Sequence, residues 1–356
     1  TTVSPSYAEE IQTAYYGERL DGLLRARRNH LTGILNGLDV REFDPAQDKR
    51  IARTYTADDL SGKRACKQAL QEELGLQQRE DVPIIALIGR LNSQKGLDLV
   101  DYVIADIMRE DIQLVCLGLG ESRYVNLFSW AEQNYPGRVA ARFVMDNNLA
   151  HRIYAGADIF LMPSAFEPCG LSQMIALRYG TVPVVRETGG LRDTVLSYNE
   201  FTGEGNGFTF FNYNAHDMLH VIQRALHFYH DQKEVWAKLQ HRGMTADFSW
   251  LHSSGRYLEL YRKLLPALIT EGTPPGPAPQ KPPAPQAKEE TEKPVDEVKK
   301  PAPRAKKATA ATETVKKPAA RAKKVAPAKP AADKPAQAPA KAPGKPAARP
   351  RKPKAE

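Results

Sequence analysis

Between residues 82 and 186, short apolar runs rich in β-branched residues alternate with segments whose apolar positions repeat at helical spacing. The runs at residues 83–88, 113–117, 141–144, 158–162 and 182–185 predict strands. Leu97, Val100, Val103, Ile104 and Ile107 mark one intervening helix, over residues 97–108, and residues 125–135 form another. Strands that are apolar on both faces and alternate with helices imply βαβ units and a parallel sheet covered on both sides. The fold class expected is therefore α/β, a Rossmann-like doubly wound parallel sheet. Beyond Asp193 the pattern turns mainly helical, at residues 214–229, 232–245 and 250–265, after a glycine-rich loop at 202–208. At the start, residues 1–7 read as a strand running into a helix, followed by a basic segment at 23–30 and Gly33-Ile34-Leu35-Asn36-Gly37. That opening strand has nothing before it to pair with, so sequence is expected upstream of Thr1.

In such a sheet the active crevice lies at the carboxyl ends of the strands. The first strand is followed by Gly89-Arg90-Leu91-Asn92-Ser93-Gln94-Lys95-Gly96. Two fixed cations, Arg90 and Lys95, beside the free N–H groups of a helix start would suit a diphosphate. The plainer reading pairs Arg90 with a neighbouring acid and leaves Lys95 on a solvated turn. The fourth strand leads to Glu167-Pro168-Cys169-Gly170-Leu171-Ser172. A carboxylate beside the N–H groups of Gly170, Leu171 and Ser172 suits a ligand that carries both hydroxyls and phosphate. Against this, Glu167 could simply favour a helix dipole, and Cys169 reads better as a buried filler than as a nucleophile, since no local His or Asp would activate it. After the fifth strand comes Thr188-Gly189-Gly190-Leu191, where missing Cβ atoms would let backbone approach an anion, or would only make a tight turn.

Composition divides the chain in two. Its 356 residues carry a net charge of +8, yet residues 271–356 alone hold 21 Lys+Arg, 9 Asp+Glu and 19 of the 27 prolines, with no aromatic residue. Such a segment cannot bury enough apolar surface to offset its ordering entropy, so a disordered basic tail is expected. The first 270 residues are mildly acidic, with 29 basic and 33 acidic side chains. The Lys-Lys-Pro-Ala-Ala and Arg-Ala-Lys-Lys repeats are similar to linker-histone tails, which contact polyanions non-specifically, although a solvated tether is the simpler expectation. No apolar run is long enough for a membrane span, and the opening residues lack the regions of a secretion signal. Three widely spaced cysteines, Cys66, Cys116 and Cys169, argue against a disulfide framework or a CxxC metal site. A soluble, cytoplasmic protein is the expectation.

The strand-end blocks resemble a known family. Gly89-Arg90-Leu91-Asn92-Ser93-Gln94-Lys95-Gly96-Leu97-Asp98-Leu99, Phe166-Glu167-Pro168-Cys169-Gly170-Leu171 and Arg186-Glu187-Thr188-Gly189-Gly190-Leu191 look like signature blocks of the bacterial glycogen synthase and plant starch synthase family. Thr2-Val3-Ser4-Pro5-Ser6-Tyr7-Ala8, Gly33-Ile34-Leu35-Asn36-Gly37-Leu38-Asp39 and Phe248-Ser249-Trp250 match it as well. The resemblance implies a GT-B fold, two Rossmann-like domains across a cleft, and retaining transfer of glucose from ADP-glucose to the 4-hydroxyl end of an α-1,4-glucan (glycogen), with no metal or cofactor. It implies that Arg90 and Lys95 grip the diphosphate and that Glu167 binds the donor glucose. Cys169, Gly170, Leu171, Ser172, Thr188, Gly189 and Gly190 would line the sugar and phosphate site. Residues 1–36 would end an otherwise absent amino-terminal domain, 37–246 would bind the nucleotide sugar, and 247–270 would pack back toward the amino-terminal domain.

Two positions depart from the pattern. Ile175 stands where related GT-B enzymes carry a second Glu, and Met145 stands near where the family often places a Tyr against the adenine. Met145 could cover a base by dispersion, with less specificity for ADP over UDP. Two other readings remain open: a polyanion-associated scaffold with a vestigial transferase half, and another GT-B enzyme such as a sucrose or trehalose-phosphate synthase. The Glu-Pro-Cys-Gly-Leu block with Ile175 argues against the second.

Overall fold

The structure, a computed structural model, describes residues 1–265; the tail for which composition predicts disorder lies outside the described residues. Two short helices, α1 (Pro5–Glu10) and α2 (Asp21–Ala26), precede the longer α3 (Ser61–Leu74). Then come β1 (Ile84–Ile88), α4 (Leu97–Ile107), β2 (Gln113–Leu117), α5 (Ser122–Asn134), β3 (Val139–Arg142), α6 (Asn147–Gly156) and β4 (Ile159–Met162). The chain continues through α7 (Ser172–Arg178), β5 (Val182–Arg186), α8 (Gly189–Thr194) and β6 (Phe208–Phe210), and ends in α9 (Ala215–Asp231), α10 (Lys233–Thr245) and α11 (Trp250–Leu264).

The six strands form one wholly parallel sheet in the order β3-β2-β1-β4-β5-β6. Because the central strand runs are apolar on both faces, successive residues feed two cores. Ile85, Leu87, Leu114 and Cys116 pack with α4, α5 and α9 on one face, and Ile84, Ala86 and Val115 with α3, α6 and α7 on the other. The strand order reverses between β1 and β4, neighbours whose following helices leave in opposite directions. That is the switch point at which an α/β sheet opens a crevice.

Two local expectations are revised, and two elements, β6 and α3, appear where none was expected. The third strand lies two residues earlier than the apolar run indicated, because its pairing with β2 runs from Leu114↔Val139 to Leu117↔Arg142 and stops where β2 stops. The sixth strand, only three residues long, emerges from the glycine loop to pair with β5. The opening strand reduces to a single parallel bridge, Thr2↔Gly33, because Pro5 starts a helix that Ser4 caps by accepting from the Tyr7 N–H. Helix α3 has a weak apolar signature, since its buried stripe interleaves Lys63, Lys67 and Gln71 with Cys66, Leu70 and Leu74. At the far end, α11 returns to the early segment: Ser253 donates to the Leu35 carbonyl at 2.5 Å, and Leu38 bridges Ser249.

Candidate functional site

The loops after β1 and β4 meet above the switch point. Gly96 has φ +69°, and a Cβ there would fall 1.9 Å from the Pro163 carbonyl, so only glycine lets the loops close on each other. The Ala165 N–H donates to the Gln94 carbonyl at 2.8 Å, which fixes their relative position. Lys95 Nζ consequently lies 2.5 Å from Glu167 Oε2, and Ser164 Oγ donates to the same oxygen at 3.2 Å. Glu167 is only 7% exposed. A carboxylate this buried is tolerable only with such partners. Arg90 is exposed and, among the described residues, has no carboxylate within ion-pair distance. The two cations expected to act together thus differ in state: one is engaged by an acid, the other faces solvent.

Beside them, Gly89, Arg90, Leu119, Met145, Asn147 and Ala150 help to line a cleft with about 810 Å³ of empty space. Met145 precedes α6 and is 85% exposed. Apolar walls with one guanidinium at the edge suit a flat heterocycle attached to a charged group. Arg90 and Lys95 also share a narrower recess with Ser164 and Pro163, so the cleft continues toward the Lys95–Glu167 pair.

The remaining expected residues divide. Gly170, in left-handed conformation, and Leu171 lead into α7 at Ser172, and Leu171 is exposed. Cys169 is buried, and burial pushes its thiol pKa up, which removes it as a nucleophile and leaves it a filler. The Thr188–Gly190 turn is closed to an anion. The Thr188 N–H donates to the Arg186 carbonyl and the Gly190 N–H to the Glu167 carbonyl. The Gly189 N–H and the Thr188 hydroxyl both donate to Glu10 Oε1, at 2.8 and 2.9 Å. A Cβ on Gly189 would sit 2.1 Å from the Glu167 carbonyl, and one on Gly190 would sit 2.0 Å from that of Cys169. The glycine pair therefore admits another stretch of backbone. Sequence reasoning missed two residues here. Glu10 occupies the turn from α1, and Gln173 braces the Cys169 and Gly170 carbonyls and Thr194 through its side-chain amide.

A doubly wound parallel sheet with a cation-bearing loop and an acidic loop meeting at its switch point places a ligand crevice at the carboxyl ends of β1 and β4. Residues 71–239 match the family model for glycosyl transferases group 1, and residues 1–26 match that for the starch synthase catalytic domain. A glycogen synthase of Geobacillus thermodenitrificans is 57% identical over 265 residues, which cover 74% of this chain and 54% of that protein. One from Bacillus cereus (strain Q1) is 54% identical, with 74% and 56% covered. The solved catalytic domain of Starch Synthase IV from Arabidopsis thaliana, bound to ADP and acarbose, is 38% identical, with a TM-score of 0.70 over 74% of this chain and 55% of that one. A sucrose-phosphate synthase from Thermosynechococcus elongatus, 22% identical at a TM-score of 0.50, shares the fold alone. The chain belongs to the glycogen synthase and starch synthase family, and it spans about half the length of the curated relatives it matches.

Proposed function

We propose that this chain is the donor-binding half of a glycogen synthase, which transfers glucose from ADP-glucose to the non-reducing 4-hydroxyl end of an α-1,4-glucan with retention. The observation that carries the reading is the Lys95–Glu167 pair at the switch point, with the solvent-exposed Arg90 beside it. An arriving diphosphate offers Lys95 a stronger, doubly charged partner than one carboxylate. Lys95 turning to the phosphates frees Glu167 Oε2 to accept hydrogen bonds from the glucose hydroxyls. Arg90 and Lys95 then neutralise the charge that develops on the departing nucleotide, a preorganised stabilisation that acts in transition and product states. In this reading the side chains supply that charge and no metal or cofactor takes part.

The N–H groups of Gly170, Leu171 and Ser172 complete the sugar pocket, and Met145 covers the base. ADP as the nucleotide is supported by the Starch Synthase IV structure, which holds ADP, and the apolar cleft beside Arg90 suits a nucleobase. The proposed setting is the cytoplasm, consistent with three buried free thiols; among the described residues no helix is long and apolar enough to cross a membrane. The test joins the chain to the amino-terminal domain of a related glycogen synthase and follows glucose incorporation from labelled ADP-glucose into glycogen. Incorporation by the joined enzyme, its loss in Glu167→Ala, and none by the 356-residue chain alone are expected. Unchanged turnover in Glu167→Ala, or elongation by the chain alone, would contradict the reading.

A further inference from the structure

We propose that Glu10 is a positioning residue of the donor site, setting the place of Glu167 from outside the sheet; the inference rests on the donor-binding role proposed above. Helix α1 has six residues, yet the segment from Ser4 to Glu10 grips the elements around the site at three places, through backbone and side-chain groups. Ser4 Oγ donates to the Pro168 carbonyl at 2.6 Å. The Ser6 N–H and hydroxyl donate to the two oxygens of Asp193 at 2.9 and 2.7 Å. Glu10 Oε1 accepts from the Thr188 hydroxyl and the Gly189 N–H together. Pro168 directly follows Glu167, and Asp193 lies on α8, so the grips surround the residue assigned to the sugar.

The link from Glu10 to Glu167 is short and without slack. The turn that Glu10 holds donates the Gly190 N–H to the Glu167 carbonyl at 3.0 Å. Gly189 packs so closely on the same carbonyl that a Cβ would lie 2.1 Å from it. A displaced turn must therefore displace the Glu167 main chain, and with it the carboxylate poised against Lys95 and Ser164. Among the described residues, Glu10 Oε2 is buried without a hydrogen-bond partner. An unpaired buried acceptor is destabilising, so this is not the arrangement that stability alone would favour at a turn. The same geometry makes the sugar site sensitive to wherever α1 is carried.

The test titrates the 356-residue chain separately with ADP and with ADP-glucose, because Glu167 is assigned to the sugar and not to the nucleotide. Glu10→Ala is expected to weaken ADP-glucose binding about tenfold while ADP binding changes less than about twofold. Glu10→Gln keeps an oxygen for both donors and should restore ADP-glucose binding to within about threefold of the parent. Thr188→Val, which removes one of the two donors, should shift the two ligands in the same unequal way but less. Equal losses for both ligands together with a lowered unfolding midpoint would make Glu10 a brace of the fold and overturn the proposal. Unchanged affinity for both ligands in Glu10→Ala would overturn it too. A parent chain that binds neither ligand would instead defeat the donor-binding role, and Glu10's role would fall with it.

Discussion

The turn after β1 and the turn after β5 look alike in sequence: both leave a parallel strand, carry two glycines and enter a helix at the same edge of the sheet. Folded, they do opposite things. The first keeps Arg90 in solvent and Lys95 at the cleft, where a ligand can reach both. The second closes on itself, with the N–H groups of residues 188 to 191 taken by carbonyls or by Glu10. Glycine in a strand-to-helix turn announces that something comes close to the backbone. What comes close is decided by the neighbours: charge and an open wall favour a ligand, while a carbonyl or an acid from another element favours closure.

Substitutions can break this contrast. The largest effect is expected from Lys95→Ala in the enzyme joined to an amino-terminal domain, with turnover lower by about 10²- to 10³-fold and a lowered unfolding midpoint, because the buried Glu167 loses its cation while the fold survives. In the closed turn, Gly190→Ala should cost about 3 kcal/mol in urea unfolding, since its Cβ would strike the Cys169 carbonyl. Gly89→Ala in the open turn should cost only about 1–2 kcal/mol, because nothing lies within 4 Å of that Cβ and only the positive φ, +153°, is strained. Equal costs would erase the distinction between the turns. Met145→Ala should weaken ADP binding by about threefold, the loss of a thioether against a base.

The smallest effect is one of pH and lies away from both turns. His151 is buried, its Nδ1 lies 2.7 Å from Asp48, and its Nε2 has no hydrogen-bond partner among the described residues, the Glu42 carboxylate lying 3.8 Å away. Burial lowers its pKa below 6.5, outweighing the pull of Asp48 in the other direction. The unfolded chain therefore takes up the proton first as pH falls. The stability tied to a neutral His151 is complete above pH 6.5 and is lost as pH drops below it. Urea midpoints at about pH 7.5 and about pH 5.5 should differ more in the parent than in His151→Gln.

The parallel sheet was legible because its strands have no polar face, and the site's two loops because charged residues stand directly after such strands. Where reading failed, the cause was a residue doing an unexpected job. Helix α3 hid because Lys63 and Lys67 are buried in its inward stripe, where their ammonium groups meet carbonyls, Thr181, Asp158 and Tyr229. Strand β6 hid because three residues after a glycine loop show no period. The closure of the Thr188–Gly190 turn could not be read locally, since its partner, Glu10, stands 178 residues earlier. An acid at the last position of a short helix carries no mark of the turn it will meet.

The central claim, that Arg90 and Lys95 form the nucleotide-binding end of this half-enzyme, is tested most directly by calorimetric titration of the 356-residue chain with ADP. The account predicts saturable one-to-one binding that weakens by at least about tenfold in Arg90→Ala and in Lys95→Ala. Saturable binding left unchanged by both substitutions, or no binding at all, would contradict it.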